Sequence, residues 1–216
     1  MGAVAASSTA MAAIFRSDAA LQAIAKSATA QAAVSNASSS VMAKTVAILA
    51  NLDPNSYADM TAIASSSTAM AAIIANATAL NAVVSSSTAM TAVINSAAAR
   101  TALTKSSTAR TALKASPLAV EVSLVSSQSQ YWNNPGTRTL RGLLLYTKAG
   151  NTDNAFTITK VDSTTLTTGS SARNAAISGS TGYKDWLEAF PDYSWVLSSI
   201  TFYAYYTTTK IKYIPC

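Results

Sequence analysis

A ten-residue phrase, written nine times before residue 117, constrains this chain more than any other feature of its sequence. Six copies follow one another from Ser56 as SYADMTAIAS, SSTAMAAIIA, NATALNAVVS, SSTAMTAVIN, SAAARTALTK and SSTARTALKA. Three more stand near the start as SSTAMAAIFR, SDAALQAIAK and SATAQAAVSN. The first column holds Ser7, Ser17, Ser27, Ser56, Ser66, Asn76, Ser86, Ser96 and Ser106. The seventh is Ala throughout (Ala13, Ala72, Ala82 and their equivalents), and the eighth is Ile, Val or Leu. Strict internal periodicity is the mark of a stacked array in which each unit buries its apolar face against its neighbours.

Within one copy, Met70, Ile73, Ile74 and Ala77 recur at helical spacing, and Ala-rich stretches free of Gly and Pro favour helix. One continuous helix fails, because ten residues at roughly 100° each would set the apolar stripe back by about 80° per copy. The pattern therefore predicts a short helix per copy, restarted at each Ser or Asn, whose side chain accepts a bond from a free N–H of the new first turn. The recurrent seventh-column Ala is expected where neighbouring helices approach closely. A pentapeptide-type β-solenoid competes with this reading. It would need a bulky residue every fifth position, and Ala75, Ser85 and Asn95 occupy those places.

The array has an irregular joint over residues 41–55, where VMAKTVAILAN reads as one longer helix and Asp53-Pro54 as the cap and first turn of the next. In the last two copies the Met/Leu column becomes Arg100 and Arg110, joined by Lys105 and Lys114. These residues form either a basic patch or the polar face on which an array ends, and the second reading is preferred.

Composition changes sharply at Pro117. All six Met lie before it and six of the seven Gly after it, which predicts a repeat region over 1–116 and a separate domain over 117–216. In the second part Leu118, Val120, Val122 and Leu124 alternate with Ala119, Glu121 and Ser123, as in a strand with one buried face. Thr139–Lys148 reads as an apolar strand, Ser163–Gly182 as a loop, Asp185 as the start of a short helix, and residues 195–214 as a closing hairpin. The expected fold class is α+β in two parts, a short-helix array followed by a β-sandwich or jelly-roll-like domain.

The chain has no His, which excludes Ser-His-Asp and Cys-His catalysis and most zinc sites. No Gly-rich phosphate loop is present. The carboxylates Asp185 and Glu188 are the remaining candidates for a glycosidase-type pair, and a solvated first turn accounts for them more simply. We expect no catalytic residues, no metal and no cofactor. The net charge of +6 is spread without Lys/Arg blocks, so no nucleic-acid partner is expected. Ser clusters interrupt every apolar stretch, the N-terminus has no basic region before an apolar run, and neither a membrane span nor a standard signal peptide is expected. The single Cys, Cys216, permits no disulfide within the chain. Aromatic and amide side chains next to turns are the best candidates for a partner or glycan site: Tyr131, Trp132, Asn133, Asn134, Tyr183 and Trp186.

The phrases SSTAM at 7–11 and SSSTAM at 65–70 and 85–90 resemble Ala/Ser-rich repeats of bacteriophage virion proteins, particularly fibre-like appendages. That resemblance implies a structural protein of the particle surface in a tail fibre, collar or exterior appendage. Its terminal domain would face another virion protein or a host surface polysaccharide. A cellular filament or adhesin subunit is the alternative, and a glycan-degrading enzyme a more remote one. The thin core of an array built from Ala and single Met or Ile residues predicts a homo-oligomer, with the Met11, Met70 and Met90 column serving the contact between chains, and analogy with fibres favours a trimer.

Overall fold

The computed structural model describes residues 2–124, 136–149, 155–160, 165–167, 183–185, 196–203 and 209–216. The chain divides into two compact units, Met1–Leu118 and Ala119–Cys216. The first is helical and the second is built from antiparallel strands.

The helical unit contains α1 (Gly2–Ala5), α2 (Ser8–Phe15), α3 (Asp18–Ala25), α4 (Ala28–Ser35) and α5 (Ser39–Leu49). After a loop come α6 (Met60–Ser65), α7 (Ser67–Ala75), α8 (Ala77–Val84), α9 (Ser87–Asn95), α10 (Ala97–Lys105) and α11 (Ser107–Ala115). Each regular copy is one helix, and the first-column residue caps it. Ser66 Oγ accepts the Ala69 N–H at 3.2 Å, and Ser106 Oγ the Ala109 N–H at 3.2 Å. Asn76 Oδ1 takes the N–H groups of both Thr78 and Ala79 at 3.0 Å. Such a cap contributes about 1 kcal/mol. Ser66, Asn76, Ser96 and Ser106 each end one helix and start the next in a single extended residue. At Asn76 that one residue turns the chain by 109° between α7 and α8.

Short joints coil the later helices so that α9 packs on α6, α10 on α7, and α11 on α8. One turn of the coil therefore takes three copies. The joints also stack. Ser96 Oγ donates to the Ala64 carbonyl at 2.8 Å, and Ser116 Oγ to the Val84 carbonyl at 2.6 Å, each one turn below. The same hydroxyl type thus accepts from its own helix and satisfies a helix C-terminal carbonyl of the previous turn.

The interior differs from the sequence expectation in one column. The eighth-column Ile73, Val83, Val93, Leu103 and Leu113 are buried as expected, and Met70, Leu80 and Met90 are buried beside them. The close approach, however, falls on the fourth column, where Ala69, Ala79, Ala89, Ala99 and Ala109 have 0% exposure. In the seventh column Ala82 is buried, whereas Ala72, Ala92, Ala102 and Ala112 are half-exposed. The fourth position is the one whose N–H the cap binds, and its Cβ tilts toward the helix start, where the neighbouring turn lies. Ile74 is half-exposed and Ala77 exposed in the next helix, so the expected four-residue face does not hold together.

The irregular joint is also resolved differently. α5 runs for 11 residues and closes on Asn51 at φ 57, with Leu52 N–H bonded to the Ala47 carbonyl at 2.8 Å. This is the left-handed helix stop that Asn tolerates. Asp53 caps a turn instead of a helix, accepting from the Asn55 N–H and the Ser56 hydroxyl. Asp59, and not Ser56, caps α6.

The second unit holds β1 (Val120–Leu124), β2 (Gly136–Arg138), β3 (Gly142–Ala149), β4 (Ala155–Lys160), β5 (Thr165–Thr167), β6 (Tyr183–Asp185), β7 (Val196–Tyr203) and β8 (Thr209–Pro215). They join in one sheet of order β1-β8-β3-β7-β4-β5, with β2 on β7 and β6 on β3. Two local expectations are corrected. β7 and β8 are not a closing hairpin, because β3 lies between them. Asp185 ends the strand β6, while the helix expected to follow it lies outside the described residues, and the expected loop 163–182 contains β5. The pattern erred because alternation identifies a strand without naming its neighbour. Gly142, at φ 152, is required at the start of β3 beside the end of β8, since a Cβ there would overlap the Ile214 carbonyl.

Candidate partner-binding surface

The best-defined polar site lies at the β1 end of the sheet. β1 pairs antiparallel with β8, setting Glu121 opposite Lys212, Val122 opposite Ile211 and Ser123 opposite Lys210. β8 pairs on its other side with β3, setting Lys212 opposite Tyr146 and Tyr213 opposite Leu144. Residues directly opposite share a face. One face therefore carries Glu121, Ser123, Lys210, Lys212 and Tyr146, and the other Val120, Val122, Ile211, Tyr213 and Leu144.

On the polar face the Glu121 carboxylate takes the Tyr146 hydroxyl on one oxygen and Lys210 Nζ, at 2.9 Å, on the other. Lys212 Nζ stands 6.0 Å from the Tyr146 ring centroid. The Tyr146 hydroxyl bond, followed by that of Lys210, holds the Glu121 carboxyl below its ordinary pKa. The ion pair is open to solvent, so it fixes register more than it stabilises. On the apolar face burial fades toward the edge: Leu144 and Ile211 are buried, Val122 is half-buried, and Val120 is 42% exposed. The expectation that β1 hides one face is thus met only in part at Val122 and lost at Val120.

Of the residues singled out in the sequence, Tyr131, Trp132, Asn133, Asn134 and Trp186 lie outside the described residues, as does Glu188. Tyr183 lies in β6 opposite Lys148, on a strand and not on a loop. The basic residues near the end of the array have a structural use. The Arg100 guanidinium donates to the Ile94 carbonyl, and that of Arg110 to the Thr104 carbonyl at 2.8 Å. Each closes the C-terminal end of the preceding helix, which favours cations. Met11, Met70 and Met90, expected between chains, are buried within this one. Among the described residues no single helix is long and apolar enough to cross a membrane.

Glu121, Tyr146, Lys210 and Lys212 were not found by reading the sequence. Each looks like an ordinary solvated strand residue, and only the pairing of segments 89 residues apart brings Glu121 to Lys210. No family model matches the chain, and no curated protein is significantly similar to it.

Proposed function

We propose that this chain is a non-enzymatic structural component of a bacteriophage particle, part of a tail fibre, collar or exterior appendage. The helical coil acts as a spacer and the β unit as the partner-facing end. The observation that supports this best is the use of polar groups in the coil. Ser66, Asn76, Ser86, Ser96, Ser106 and Ser116, with Arg100 and Arg110, bond to helix ends of the coil itself. The unit is built to hold a shape, and the repeat phrases resemble those of virion appendages.

A second layer over the sheet, making the β unit a sandwich, belongs to the same proposal. Leu143 and Leu144 point to opposite faces of β3 and both are buried, which supports that reading. The partner is another virion protein or a host surface polysaccharide, with Tyr131, Trp132, Asn133, Asn134 and Trp186 as the stacking and amide groups. Labelling of purified particles with antibody to this chain tests the reading. Signal on the particle exterior is the expected result, and signal on cellular filaments with bare particles overturns it. Replacing Trp132 and Trp186 together by Ala should abolish incorporation or host binding while the helical signal stays intact.

A further inference from the structure

We propose that β1 is a self-association edge, at which two copies of this chain pair their β1 strands antiparallel about Val122 and extend the two sheets into one. Among the described residues β1 ends the strand order and has one strand neighbour, β8. The outer edge of such a strand presents N–H and C=O groups at strand spacing, and another extended strand satisfies them best. The edge also carries Val120, the one large hydrophobic residue exposed among those described.

The strand sequence Val-Glu-Val-Ser-Leu selects its own copy as the occupant. A two-fold axis through Val122 sets Val120 against the partner's Leu124, Glu121 against the partner's Ser123, and Val122 against itself. Apolar then meets apolar on one face, and no like charges meet across the new seam. Moving the axis to Glu121 would oppose two carboxylates, and moving it to Ser123 would carry the positions facing Val120 and Glu121 beyond the described end of β1. Like charges directly opposite destabilise a strand pair, so the register about Val122 is the one the chain favours. On the polar face the row across the joined sheets reads Lys212, Glu121, then the partner's Ser123 and the partner's Lys210, which keeps each carboxylate between hydroxyl and ammonium groups. The two chains enter the seam from opposite ends. The contact is isologous and closes at two copies, unlike the trimer implied by analogy with fibres. It stands or falls independently of the particle reading.

Ser123 provides the test. In its own sheet it faces Lys210, so Ser123→Glu adds a favourable cross-strand pair and leaves the fold intact, while across the seam it opposes the partner's Glu121 twice. Analytical ultracentrifugation of the full chain at about 100 µM should give twice the chain mass. Ser123→Glu should weaken the dimer at least tenfold with its melting transition retained, and Glu121→Ser in the same chain should restore it. In a Cys216→Ser background, Val122→Cys should form a disulfide-linked dimer on mild oxidation. Facing Cα atoms in a strand pair lie about 4.5–5.5 Å apart, within disulfide reach, whereas Ser123→Cys, displaced along the seam, should not link. A monomer at that concentration, a trimer, or a dimer indifferent to Ser123→Glu each overturns the proposal.

Discussion

The helical coil and the β unit are held by interactions of opposite range. In the coil a cap bond spans three residues, as from Ser66 to Ala69, and α9, α10 and α11 each pack on the helix three before. In the sheet the ion pair that fixes β1 on β8 joins residues 89 apart. Local, repeated interactions tolerate one weak copy, because each repeat answers mainly to its neighbours. A sheet whose order is set by distant pairs has no such redundancy, and a single misplaced strand displaces its partners. Damage should therefore spread through the β unit and stay confined in the coil.

The largest effect that would test this contrast is at Gly142. Gly142→Ala drives a Cβ into the Ile214 carbonyl and imposes a φ that L residues avoid, so it should cost about 3 kcal/mol or more. Circular dichroism should then lose the strand transition while the helical signal persists. Equal loss of both would show that the two units do not respond separately.

Next is Ala89→Leu, in the fourth column at 0% exposure, expected to cost about 2–3 kcal/mol by overpacking. Ala92→Leu, in the half-exposed seventh column, should stay within about 0.5 kcal/mol. Thermal melts with the reverse order would return the close contact to the seventh column.

Caps come third. Ser86 is fully buried, accepts the Ala89 N–H and donates to the Ser35 carbonyl, so Ser86→Ala should cost about 2 kcal/mol. Ser66→Ala, which loses a cap bond alone, should cost about 1 kcal/mol in chemical denaturation. Equal values would mean that the stacking of joints adds nothing to capping.

The smallest effect is at Glu121. Its folded pKa is depressed, so its contribution is complete above the ordinary Glu value and is lost as pH falls through the folded value. Because the pair is exposed, the change should be well under 1 kcal/mol. Denaturation midpoints of the native chain should drop slightly at low pH relative to Glu121→Gln. A parallel pH dependence in that variant would remove the assignment to Glu121.

The sequence alone determined what depends on near neighbours. Helix starts at Ser7, Ser17, Ser27, Ser66, Asn76, Ser86, Ser96 and Ser106 follow from a bond within the next few residues, and the ten-residue spacing carries that information directly. Even there Ser56 misled, because Asp59 sits closer to the apolar residues of α6 and caps it instead. Seventh-column Ala residues are as regular as fourth-column ones, and regularity could not say which faces the neighbouring turn. That depended on bends such as the 109° turn at Asn76, which bring the first turn of a helix, and not its middle, into the buried interior. In the β unit, alternation located strands such as β1 and β8 but left their partners open. Which strand lies beside which is settled by contacts across the whole unit, as where β3 enters between β7 and β8, and the site of Glu121, Tyr146 and Lys210 exists only once that order is set.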